Sequence, residues 1–156
     1  MAGSSAQALV AFLTARANIA AIVGTRIYRA GGGAFNQTAS KIVYQSISQV
    51  PYSALDQESS GVVKERFQLN CWGGSDTSPS REAIELANVV KARYASGGIN
   101  GFRGTIGYND DTPAPQTLTV LALQVIDSSD LLVSPWDGDQ KGADGVSIDV
   151  YLTYRE

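Results

Sequence analysis

Val62-Val63-Lys64-Glu65-Arg66-Phe67-Gln68-Leu69-Asn70-Cys71-Trp72 decides how this chain folds. Val63, Phe67, Leu69 and Cys71 fall on one side of an extended backbone, and Arg66, Gln68 and Asn70 on the other. That two-residue period is the mark of a strand with one dry face. Glu65 interrupts the apolar side near the strand start, where an exposed end would accommodate it. Such a strand needs paired neighbours and an apolar cover. Upstream, residues 42–50 are rich in β-branched side chains and end at Pro51, so they form a second strand. Downstream, Val146, Ile148, Val150, Leu152 and Tyr154 stay in phase and predict the closing strand. Between them, residues 117–127 form another, which Leu131-Leu132-Val133 extends past a bulge or turn at Ser128-Ser129-Asp130.

The cover comes from two helical patterns. Ser4 or Ser5 can cap the first, in which Leu9, Phe12 and Leu13 share one stripe. Ile19, Ile22 and Val23 add further turns, and Gly24 can take the left-handed conformation that ends them. Arg26-Ile27-Tyr28 follows as a short strand or extended link, then a loop over residues 30–40. The second helix has Ser78 as cap and Pro79 in the first helical position, where a missing amide costs nothing. Ala83, Leu86, Ala87, Val90 and Tyr94 make its stripe, and Gly97-Gly98 ends it. Residues 98–116 read as Gly-rich and turn-rich connection. The order α-β-β-α-β-β predicts one α+β domain over residues 1–156. Its sheet is mainly antiparallel, with about four to five strands and two helices packed on one face.

Composition narrows the function classes. The chain has 156 residues, no histidine and one cysteine. A triad of the common kind therefore lacks its imidazole, and a zinc site lacks its ligands. Cys71 lies in the apolar phase of its strand, which predicts a buried, inert thiol. The start of the sequence lacks the basic segment of a signal peptide. The apolar run over residues 8–23 is broken by Thr14, Arg16 and Asn18, so the expectation is a soluble, intracellularly made protein without a membrane partner. No glycine pattern fits a phosphate cradle, and no cofactor is expected.

Asp137-Gly138-Asp139-Gln140-Lys141-Gly142-Ala143-Asp144 begins like a calcium loop. Lys141 stands at a ligand position, however, and Ile148 where a bidentate carboxylate is required, so it reads as a solvated hairpin loop. Asp110-Asp111 reads as an exposed turn rather than an acid/base pair.

Charged residues make up only 17% of the chain, consistent with a surface that partners cover. They are also segregated. Residues 1–109 hold ten Lys/Arg against six Asp/Glu, a net of +4. Residues 110–156 hold two against nine, a net of −7. The two parts of neighbouring copies could therefore face each other head to tail, as a ring requires.

The succession of pieces resembles the tail-terminator (tail-completion) proteins of long-tailed bacteriophages. The matching pieces are the first helix over residues 9–23, Val23-Gly24-Thr25-Arg26-Ile27-Tyr28, Ile42-Val43-Tyr44-Gln45, Phe67-Gln68-Leu69-Asn70-Cys71-Trp72, the helix over residues 81–94 and the closing strand to Tyr154. Residues 98–144 are longer than that pattern, and 109–116 and 136–144 look like insertions.

The resemblance implies a non-enzymatic virion protein at the tail-to-head junction, assembled in the cytoplasm of the bacterial host. It implies a ring, usually hexameric, of identical copies that caps the tail tube, halts its polymerisation and offers a surface for head–tail joining. The implied partners are the chain itself, the major tail tube protein and a head-completion or connector protein of the neck, with DNA only passing through the channel. On that basis Asp110, Asp111, Asp137, Asp139 and Asp144 are candidates for the lumen or the subunit interface. Phe35, Asn36, Asp56 and Glu58 are candidates for partner contact. The alternatives are another neck component, a small carboxylate-dependent hydrolase, and a binding module that uses an open sheet edge.

Overall fold

The computed structural model describes residues 2–30, 39–53, 59–74, 79–109, 114–131 and 145–155. The strand that opens the sequence argument lies at the centre of a six-stranded mixed sheet. In chain order the elements are α1 (Ala2–Ala15), α2 (Ala17–Val23), β1 (Ile27–Arg29), β2 (Lys41–Ser53), β3 (Ser59–Trp72), α3 (Pro79–Lys91), a 3-10 turn (Tyr94–Ser96), β4 (Gly104–Tyr108), β5 (Gln116–Leu131) and β6 (Gly145–Arg155). Across the sheet the order is β1-β2-β3-β6-β5-β4. The β1–β2 pair is parallel and every other pair antiparallel.

The alternation expected of β3 is present. Val63, Phe67, Leu69 and Cys71 are buried with Val146, Ile148, Val150, Leu152 and Tyr154 of β6 in one core cluster. The helices divide that face between them. α1 packs on β4 and β5, α2 on β2 and α3, and α3 on β3 and β6. Leu9, Leu13, Ile19, Leu86 and Val90 are fully enclosed there, the contact that gives short amphipathic helices most of their stability.

The fold class holds in outline, but the described residues form three helices and six strands instead of two and four to five. The first helical pattern divides because Arg16 takes an extended backbone (φ −80°, ψ 112°). α1 and α2 consequently meet at a 91° bend, and among the described residues no single helix is long and apolar enough to cross a membrane. Ser5 does not cap α1, since the helix already begins at Ala2. Ser78, the expected cap of the later helix, lies outside the described residues. That helix ends at Lys91, before Tyr94, which sits in the 3-10 turn. Gly97 closes the turn at φ +98°, a left-handed conformation that residues with a Cβ rarely adopt, and the Asn18 side chain lies against it.

β4 was expected to be loop, and Gly104-Thr105-Ile106-Gly107-Tyr108 instead pairs with β5. β5 is one long strand whose register slips at Leu121 and at Ile126, not at residues 128–130. β2 continues past Pro51 to Ser53. This is possible because the register slip at Ile47 leaves Pro51 opposite Val63, in a slot whose backbone groups point away from β3, so no ladder bond is lost.

Candidate assembly surface

Glu65 was expected at an exposed strand end. Instead it is fully buried on the helix face of β3. Three hydroxyls replace its lost water. Ser5 Oγ of α1 donates to Oε1 at 2.5 Å, Tyr154 OH of β6 donates to Oε1 at 3.2 Å, and Ser46 Oγ of β2 donates to Oε2 at 2.5 Å. A carboxylate in the core is tolerated only when its lone pairs are met. The result joins three strands and the first helix at one point. Ser46 also marks where the character of β2 changes.

Up to Tyr44, β2 is paired on both sides. β1 runs alongside residues 42–44, and Ala30 N donates to Tyr44 O. Beyond that point, no described strand pairs with β2 on this side. Residues 45–51 are exposed, with Ile47 at 41% and Val50 at 54%. The stretch Gln45-Ser46-Ile47-Ser48-Gln49-Val50-Pro51-Tyr52-Ser53 holds no charge at all. Beside it, a groove of about 440 Å³ is lined by Ala6, Gln7, Arg29, Ala30 and residues 44–46.

The face of the sheet away from the helices is polar. Arg66 Nη2 donates to Asp149 Oδ2 at 2.7 Å, and Lys64 Nζ lies 4.2 Å from the Tyr151 ring centroid. Asn70 Oδ1 and Asp149 Oδ1 are buried without a hydrogen-bond partner. Lower on this face Lys41 is only 5% exposed, and burial holds its ammonium below the ordinary lysine range.

At the far side of the molecule Arg16 leaves the helix bend to donate to Gly98 O (3.1 Å) and Tyr94 O (2.7 Å). Its guanidinium lies 4.2 Å from the Tyr94 ring centroid. Phe12, Tyr94 and Phe102 gather beneath it, lining a second groove of about 330 Å³.

Cys71 behaves as expected of a core residue. It is fully enclosed, and burial pushes its thiol up to about 12, with Lys91 pulling weakly the other way. Among the described residues no group of three or more Cys, Asp or Glu converges as a metal site would require. Every sequence-predicted site residue, namely Asp110, Asp111, Asp137, Asp139, Asp144, Phe35, Asn36, Asp56 and Glu58, lies outside the described residues. The features that sequence reasoning missed are the Glu65 cluster and the uncharged edge. Each left a signal: a carboxylate in the apolar phase, and a strand without a single Lys, Arg, Asp or Glu.

Residues 7–100 match the family described as tail completion protein gp17. The chain belongs to that family. It is accordingly a structural component of a phage virion with a part in tail completion. No curated protein matches the chain. The family segment runs from α1 through the 3-10 turn and contains β1, β2 and β3. The uncharged stretch of β2 and the buried Glu65 therefore both belong to the tail completion portion. β4, β5 and β6 follow it and complete the sheet.

Proposed function

We propose that this chain terminates the tail. As one domain over residues 1–156, it forms a ring, hexameric in the simplest case, that seats on the last ring of the tail tube and stops further tube subunits from adding. The opposite face then receives a head-completion or connector protein of the neck, which places the ring at the tail-to-head junction after assembly in the host cytoplasm. The action is geometric, and no bond in a substrate is made or broken. DNA passes through the centre. The acidic residues Asp110, Asp111, Asp137, Asp139 and Asp144 lie at the lumen or between subunits, where negative charge would keep phosphates from sticking. Phe35, Asn36, Asp56 and Glu58 contact the partners.

The observation that carries this reading is the tail completion match over residues 7–100. It is supported by a sheet covered with helices on one side, with an uncharged stretch of β2 along which no further described strand pairs. The experiment is addition of the protein to polymerising tail-tube subunits. Tubes of limited length with a distinct closed end are expected. Unchanged length and ends, with binding to a neck protein alone, would move the assignment to another neck component.

A further inference from the structure

We propose that the groove between α1, the 3-10 turn and β4 receives an acidic segment of another virion protein, which sets an apolar side chain against the aromatic lining. This goes beyond tail termination: it names a partner chemistry, and it holds whichever step of tail completion the chain performs.

The first argument is that α1 has no charged face. Its 14 residues include no Lys, Arg, Asp or Glu. A helix at the surface of a free-standing domain carries charged and polar residues opposite its apolar stripe, and one without them is usually covered. α1 buries Ala8, Leu9, Phe12 and Leu13 in the core. Toward the groove it presents Ala11 and Ala15 beside Phe12. Residues four apart on a helix are neighbours, so two such small side chains leave the groove open, and Ala15 is exposed.

The second argument is the make-up of the groove itself. Phe12, Phe102 and Ile106 line it and are buried. The Phe12 and Phe102 rings are 4.4 Å apart between centroids, and Tyr94 lies 4.9 Å from Phe102 with 39% of its surface exposed. Arg16 is fixed over the Tyr94 ring by the bonds that its Nε and Nη2 donate to Gly98 O and Tyr94 O. Its Nη1 is left to donate to a carboxylate from outside, a charge-assisted bond of the stronger kind. Tyrosine and arginine are over-represented among the side chains that carry binding energy where proteins meet. Both are held here before any partner arrives, so little ordering is left for binding to offset.

Charge selects the occupant. The two stretches that build the groove, residues 11–16 and 93–107, hold Arg16, Arg93 and Arg103 and no Asp or Glu. Arg93 and Arg103 are exposed, next in the chain to Tyr94 and Phe102. Cations around an apolar groove fit a segment that combines acidic residues with one apolar anchor, and they repel a basic one. Within this chain, Glu82-Ala83-Ile84-Glu85 has that composition, with Ile84 46% exposed. Arg81 lies 3.7 Å from Glu85 and offsets its charge, however, so the better occupant is a different protein.

The test is an immobilised array of short overlapping peptides from every structural protein of the same virion, this chain included, probed with the purified full chain. Retention is expected on peptides that join Asp or Glu to a large apolar residue, and it should weaken as salt rises. Ala11→Leu keeps a strong helix former while filling the groove. It should reduce retention roughly tenfold or more, the equivalent of one anchor lost. Ala15→Leu, at the exposed end of α1, repeats the test should Ala11→Leu fail to fold by circular dichroism. Arg93→Ser/Arg103→Ser should flatten the salt dependence. Retention of basic or uncharged peptides, retention that the filled groove leaves intact, or no retention at all would overturn the proposal. Selection of peptides from this chain alone would overturn it too, by making a second copy the occupant. Tube termination by the same protein preparation is scored separately, so the proposed function stands or falls on its own result.

Discussion

The two halves of β2 are built to different ends. Lys41, Ile42 and Val43 are buried between β1 and β3, and Ile42 is fully enclosed. Residues 45–51 continue the same strand with no described strand on one side and every residue exposed. The first half contributes to stability through burial, whereas the second contributes through its pairing with β3 and through the bond from Ser46 to Glu65. Glu65 sits across the boundary, tied to Ser46 at the point where the change occurs.

Four experiments bear on that contrast. The largest effect is expected from Ile42→Ala, which leaves a cavity in the buried half and should cost about 2–5 kcal/mol in urea denaturation. A loss below that range would show that the lower half is less rigid than its burial indicates. Next is Glu65→Ala, which strands three hydroxyls and should cost about 1–3 kcal/mol, with Glu65→Gln costing less because it keeps an acceptor. Val50→Lys, in the exposed half, should stay within about 0.5 kcal/mol of the parent in the same urea measurement. A large loss of stability from that substitution would erase the distinction between the halves.

The smallest effect concerns Cys71, opposite Ile42 in the buried register. Its thiol should resist alkylation until the chain unfolds. Because its folded pKa of about 12 lies above the ordinary 9.0, the stability that the buried neutral thiol contributes is whole below pH 9 and is lost as pH rises toward 12.

How much of this was legible in the sequence depended on whether one period persisted. β3 and β6 hold strict alternation across their buried stretches, so both were readable. β5 was read as a shorter strand because each register slip moves the core phase. Leu118 and Val120 face inward before the first slip, and Leu123 and Val125 after it. β4 was hidden by its two glycines, which read as turn but serve an edge strand. The break at Arg16 was invisible because its cause is tertiary, in the carbonyls of Tyr94 and Gly98. Glu65 was misplaced because only the folded chain brings Ser5, Ser46 and Tyr154 to it. The family was legible from the order of its pieces, whereas the groove proposed for docking joins stretches far apart in the chain, which composition alone does not bring together.

β6 carries a consequence for how the molecule is made. It follows every other strand in the chain, yet it lies between β3 and β5 at the middle of the sheet. Until it emerges from the ribosome, the β2–β3 hairpin and the β4–β5 pair share no strand between them and can be bridged only through the helices. The nascent chain must therefore keep two half-sheets apart from unsuitable partners while it waits. Pairings of such long sequence separation close slowly, so the rate of maturation, and the demand on host chaperones, would be set by the arrival of this one strand.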